Sequence, residues 1–232
     1  MKKTFIVIAT LTAMCGLSYA QNSFDTELSN LRKNVISMCA QLQAGKPKES
    51  QEQLLKEIDS IINAWLEMKK KYTENIPPEY SKDPEWKNYF DEVEDNFRIM
   101  RQKVEERNYK RASHFCGQNC ALFVKIHNVN GRTTLADAMF TMRQNMKLAV
   151  SMAKADNWKG AKNAIGPNKG ILKGLRAMCP ENKTKEFNVD LKILIKINKE
   201  LEDTIKERNT DKLNNQFKQL LRAFNGIYLK YI

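Results

Sequence analysis

The sequence predicts an all-α protein laid out as two tandem antiparallel up-down-up-down four-helix bundles. Apolar residues recur three and four positions apart along most of the chain, the period of one helical face, and no stretch alternates as a strand would. Prolines, glycines and asparagines cut that pattern into eight segments, four hairpins in all. The segments read as helices over 23–44, 47–75, 84–107, 109–128, 133–155, 157–179, 185–207 and 209–230, with ends good to about two to four residues.

Residues 1–20 stand apart from this fold. Met1-Lys2-Lys3, the apolar run Thr4 to Leu17 and then Ser18-Tyr19-Ala20 have the form of a secretory signal cleaved after Ala20, with a core too short to span a bilayer. A lipoprotein anchored on Cys15 would need a small residue where Met14 stands. The compact two-lysine leader suits export to a bacterial periplasm. The rest of the chain has no second apolar segment of spanning length. The first bundle then covers 21–130 and the second 131–232.

The turns are readable one by one. Arg107-Asn108-Tyr109, Asp156-Asn157-Trp158 and Arg208-Asn209-Thr210 each offer an asparagine, which tolerates the left-handed conformation ending one helix and can also cap the next. The first hairpin uses Gly45-Lys46-Pro47, glycine to stop and proline to restart. Asn75 to Pro84 forms the long crossover, with Asp83 placed to cap the helix whose first turn holds Pro84. Asn130-Gly131-Arg132 divides the chain, and Thr133 or Thr134 caps the fifth helix. Gly166-Pro167, Gly170 and Gly174 should kink or break the sixth helix near residue 166, because proline lacks a backbone donor and clashes with the preceding turn.

The halves repeat one pattern. Ala112, Cys116, Cys120, Phe123 and His127 in the fourth helix have the same spacing as Leu213, Phe217, Leu221, Phe224 and Tyr228 in the eighth, which points to an internal duplication with one face inward. Cys39, Cys116, Cys120 and Cys179 remain after cleavage, an even count in an oxidising compartment. Antiparallel neighbours one and four would place Cys39 and Cys116 at similar heights above the same bundle end, roughly 9 and 12 Å at 1.5 Å per residue. Cys39–Cys116 is the preferred bridge and Cys39–Cys120 the second.

Without Lys2 and Lys3 the formal charge falls from +12 to +10, which favours an acidic partner or anionic surface. Basic and acidic residues are interspersed as on ordinary solvated helices, and no clustered basic motif argues for nucleic acid. No serine, histidine and carboxylate pattern, phosphate loop or paired-glutamate motif argues for an enzyme.

Over residues 24–128 the chain resembles the periplasmic four-helix-bundle cytochromes, the soluble b-type and c-prime proteins. The likeness rests on the Pro77-Pro78 crossover, Pro84-Glu85-Trp86-Lys87, the turn before Lys110-Arg111-Ala112 and His127 near the end of the closing helix. It implies an axial haem ligand at His127. The methionine ligand of the b-type member falls on Leu28, and Phe123-Val124-Lys125-Ile126-His127 stands where c-type members carry CxxCH. In the second half Met139 matches the methionine position and Tyr228 the histidine position. Each half thus keeps at most one ligand.

Cys116, Cys120 and His127 on one helical face could bind copper or zinc, although core packing explains the same spacing. Met139, Met142, Met146 and Met152 have the spacing of a core face as well as of a methionine tract. His114 falls off the stripe, as a surface residue would. The expectation is an exported non-enzymatic binding or interaction protein of cytochrome-like fold with degenerate haem sites. Haem b held non-covalently by His127 for electron transfer is the alternative, and a copper or zinc binder the third.

Overall fold

A computed structural model of the chain describes residues 23–43, 47, 49–179 and 181–231. The signal segment, Cys15 and the Gly45-Lys46 turn lie outside the described residues. Every regular element among them is helical: α1 Ser23–Gln43, α2 Gln51–Glu74, α3 Trp86–Glu105, α4 Tyr109–Val129, α5 Leu135–Lys154, α6 Trp158–Ile165, α7 Asn168–Met178, α8 Thr184–Lys206 and α9 Thr210–Tyr228, with single 3-10 turns at Pro78–Tyr80 and Glu181–Lys183. None is long and apolar enough to cross a membrane.

The expected sixth helix arrives as two pieces, α6 and α7, divided at Gly166-Pro167. Asn168 fastens the second piece: it is buried, donates to the Met142 carbonyl at 3.2 Å and accepts from Asn145 at 2.8 Å. The second helix begins at Gln51 under a Ser50 cap rather than at Pro47. Asp83 accepts from the Glu85 amide at 3.0 Å in the turn before α3 but does not cap it: the helix begins at Trp86, with Glu85 at the N-cap and no side-chain cap bond, because the turn runs past Pro84.

At three turns the two jobs assigned to asparagine are split between neighbours. Arg107, Asp156 and Arg208 take the left-handed conformation, with φ of 56°, 59° and 52°. The adjoining Asn108, Asn157 and Asn209 cap the next helix, accepting from the amides of Arg111, Gly160 and Lys212. The reason is the closing bond of the helix before: Asn108 N donates to Lys103 O at 2.8 Å and Asn157 N to Met152 O at 2.9 Å, which puts the reversal one residue earlier.

Helix contacts fall into two closed rings. α1 packs on α2 and α4, and α3 packs on the same two; α5 packs on α6, α7 and α9, and α8 on those three as well. Buried residues of both rings join in one continuous core, with α4 touching α5 where they meet. The α4 stripe from Ala112 to His127 is wholly buried; in α9, Phe217 and Leu221 are only half-buried while Leu213, Phe224 and Tyr228 are buried. Met139, Met142 and Met146 are fully buried and Met152 partly so, which is the core arrangement. A disulfide joins Cys39 of α1 to Cys116 of α4, with Cα atoms 5.7 Å apart.

Candidate functional site

The turn between the rings sets up the most unusual chemistry in the molecule. Gly131 adopts a φ of 66°, so Arg132 N can donate back to His127 O at 2.8 Å and close α4. The reversal puts Thr134 at the N-cap of α5 in a capping box with Asp137. Asp137 is thereby fixed beside the end of α4, where His127 lies.

Asp137 is fully buried, and its carboxylate is saturated with donors. It accepts from Thr134 N at 2.9 Å, Thr134 Oγ1 at 2.6 Å, His127 Nδ1 at 2.6 Å and the Arg32 guanidinium of α1. Arg32, 2% exposed, also donates to the Ala136 carbonyl at 3.5 Å and to the Tyr228 hydroxyl at 3.2 Å. The ion pair therefore ties α1 and α4 of the first ring to α5 and α9 of the second. Its guanidinium lies over the Phe140 ring at 5.6 Å.

Burial alone would raise the Asp137 pKa, but the His127 hydrogen bond and the Arg32 charge outweigh it and hold the carboxyl at about 2. Burial pushes the Tyr228 hydroxyl up to about 12, against the pull of Arg32. A carboxyl held below its ordinary value of 3.8 contributes stability that is present above that pH and lost as pH falls through about 2. The contribution is about 2 kcal/mol. Urea midpoints should therefore fall between pH 4 and 2, and an Asp137→Asn variant should show a drop smaller by that amount.

His127 is 4% exposed. Its Nε2 is buried without a hydrogen-bond partner and lies 3.8 Å from Asp25 Oδ1. Asp25 in turn accepts from the Tyr80 hydroxyl at 2.5 Å and from Arg132 at 2.6 and 3.0 Å. A cleft of about 700 Å³ opens over this group, lined among others by Leu28, Arg32, His127 and Thr134.

The residues do not fit a haem held inside the first ring. Trp65, Phe90, Phe97 and Phe123 fill its interior, all fully buried, with Trp65 stacked on Phe90 at 4.9 Å and against Phe123 at 5.8 Å. The one ligand atom His127 could offer faces a carboxylate, and Leu28 packs in the core where a second ligand would stand. Met139 and Tyr228 are both buried, the latter bonded to Arg32.

Cys116, Cys120 and His127 do not form the expected metal site either. Cys116 is consumed by the bridge to Cys39, so it has no thiolate to give. Burial pushes the Cys120 thiol up, holding it protonated. Among the described residues no three His, Cys, Asp or Glu side chains converge as a metal site would need. His114 is exposed, and Cys179 is half-buried where α7 ends.

Arg32, Asp25 and Asp137 were not singled out by the sequence, and neither was the division of charge. Residues 21–130 hold 17 basic and 17 acidic side chains, whereas 131–232 hold 20 and 10, so the second half carries the entire excess. On that half Lys159, Lys162, Lys206 and Arg208 line a groove of about 390 Å³ beside the half-buried Trp158. Lys159, Lys162 and Arg208 make no ion pair among the described residues. No family model matches the chain, and no match emerges among curated proteins or solved structures.

Proposed function

We propose that the chain is an exported, non-enzymatic binding protein whose first helical ring is a charge-balanced support and whose second presents a basic face to an acidic protein partner. The observation that carries the reading is the charge split, a neutral half joined to one whose 20 basic side chains outnumber its 10 acidic ones. Export is supported by the signal-like start and by a disulfide, which persists in oxidising compartments.

The test uses poly-L-glutamate as the acidic probe at low ionic strength. Binding should weaken steeply with salt. The variant Lys159→Glu, Lys162→Glu, Arg208→Glu should bind at least tenfold more weakly than Lys82→Glu, Lys87→Glu, Lys110→Glu, which makes the same charge change on exposed first-half sites. Equal losses in the two variants would remove the reading. So would tight binding to phosphatidylglycerol vesicles with none to poly-L-glutamate, which would make the face a membrane-binding one.

A further inference from the structure

A third cavity, about 320 Å³, lies between the rings and is bordered by α1, α4, α5 and the end of α9. Ile36, Ala40, Phe140 and Leu229 give it apolar walls. The charged and titratable groups facing it are Lys33 from α1, Cys120 from α4, Arg143 and Lys147 from α5, and Tyr228 from α9. None is a carboxylate.

Arg143 and Lys147 are four apart on one helix and so share a face, which places two cations side by side. Both are half-buried, and neither has an ion pair or hydrogen bond among the described residues. Arg143 Nε is buried with no acceptor, and the Asn225 side-chain oxygen is buried with no donor. Burial and the neighbouring Arg143 charge press the Lys147 amine down to about 8, and burial lowers the Arg143 guanidinium too. Two partly desolvated like charges cost stability, and among the described residues no carboxylate pairs with either. A bound anion would offset that cost.

The geometry points to a binding site between the rings for a small carboxylate with an apolar tail, its headgroup on Arg143 and Lys147 and its tail along Ile36, Ala40, Phe140 and Leu229. The volume is at the small end of ligand pockets, which suits a medium-length tail rather than a long acyl chain. A carboxylate with an apolar tail fits better than a bare phosphate because Ile36, Ala40, Phe140 and Leu229 offer apolar surface that a phosphate alone would leave uncovered. The site does not depend on the acidic-partner reading, whose basic groove uses other residues.

Octanoate is the probe, titrated calorimetrically into the chain lacking residues 1–20, with 1-octanol and inorganic phosphate as the tail-only and charge-only comparisons. Octanoate should bind with Kd on the order of 0.1 mM, raise Tm, and bind at least tenfold more tightly than either comparison. Affinity should fall as pH rises from 7 to 9, because Lys147 loses its proton over that range. Arg143→Met with Lys147→Met should abolish octanoate binding while leaving Tm unchanged or higher, since it removes uncompensated charge. Lys147→Gln, the gentler change, should weaken binding at least tenfold in a chain that keeps its helical circular dichroism. The proposal is overturned by absence of octanoate binding at 5 mM, by octanol or phosphate binding as tightly as octanoate, or by undiminished binding in Lys147→Gln. A double variant with lowered Tm would also overturn it, by making the cations structural.

Discussion

Asp137→Asn is expected to lower stability by about 3–5 kcal/mol, because it leaves the Arg32 guanidinium buried without its counter-ion. In a chain of this size that is a loss in Tm of roughly 10 °C. Asparagine keeps the shape and can still accept from Thr134 through its oxygen while its amide nitrogen faces Arg32, so the effect reports the lost charge and the lost Arg32 acceptor rather than packing or the loss of the α5 cap. Arg32→Met added to Asp137→Asn should recover part of the loss, since removing both charges is cheaper than stranding one. Urea denaturation followed by circular dichroism gives all the values. A single variant within about 0.5 kcal/mol of wild type, the ordinary range for a surface change, would mean that the pair is not buried as described.

Loss of the Cys39–Cys116 bridge is the second large effect. The two residues are separated by 77 positions, and a loop of that size restrains the unfolded chain by about 4 kcal/mol in the chain-entropy treatment. Cys39→Ala with Cys116→Ala should therefore shift the urea midpoint to the same value that reductant gives in the wild-type chain. Cys120, buried with its thiol held protonated, should stay unreactive to alkylating reagents until the chain unfolds. If reductant shifted the double variant as well, a different pairing would be present.

Local physics made much of this legible in the sequence. Helical period, Gly166-Pro167 and a threonine cap act within a few residues, so the helices and the break between α6 and α7 could be read directly and the start of α5 narrowed to a cap at Thr133 or Thr134, of which the structure uses Thr134. The disulfide was legible because helix rise and antiparallel neighbours fix which cysteines reach one height. The stripe rule correctly turned His127 inward, but spacing on one helix says nothing about what the side chain meets there. Its partner Asp137 is set by the Gly131 reversal, and Arg32 reaches Asp137 across 105 residues of sequence. A lone charge on an amphipathic helix looks the same whether it meets solvent or a buried counter-ion. Arg32 was therefore invisible before the fold, and a ligand role for His127 stood in for the structural one. The charge split was countable from the start, yet interspersed signs along each helix hid it until the halves were compared.

The buried group Arg32, His127, Asp137 and Tyr228 joins residues of both rings, so the two rings should unfold as one cooperative unit. Residue-resolved hydrogen exchange tests this most directly, comparing interior amides around Trp65 of α2 with those around Leu194 of α8. In the wild-type chain the slowest amides of both helices should open with the same free energy, and Asp137→Asn should split them into two values. Two distinct opening energies in the wild type, unchanged by Asp137→Asn, would show that the rings unfold independently and that the ion pair does not join them.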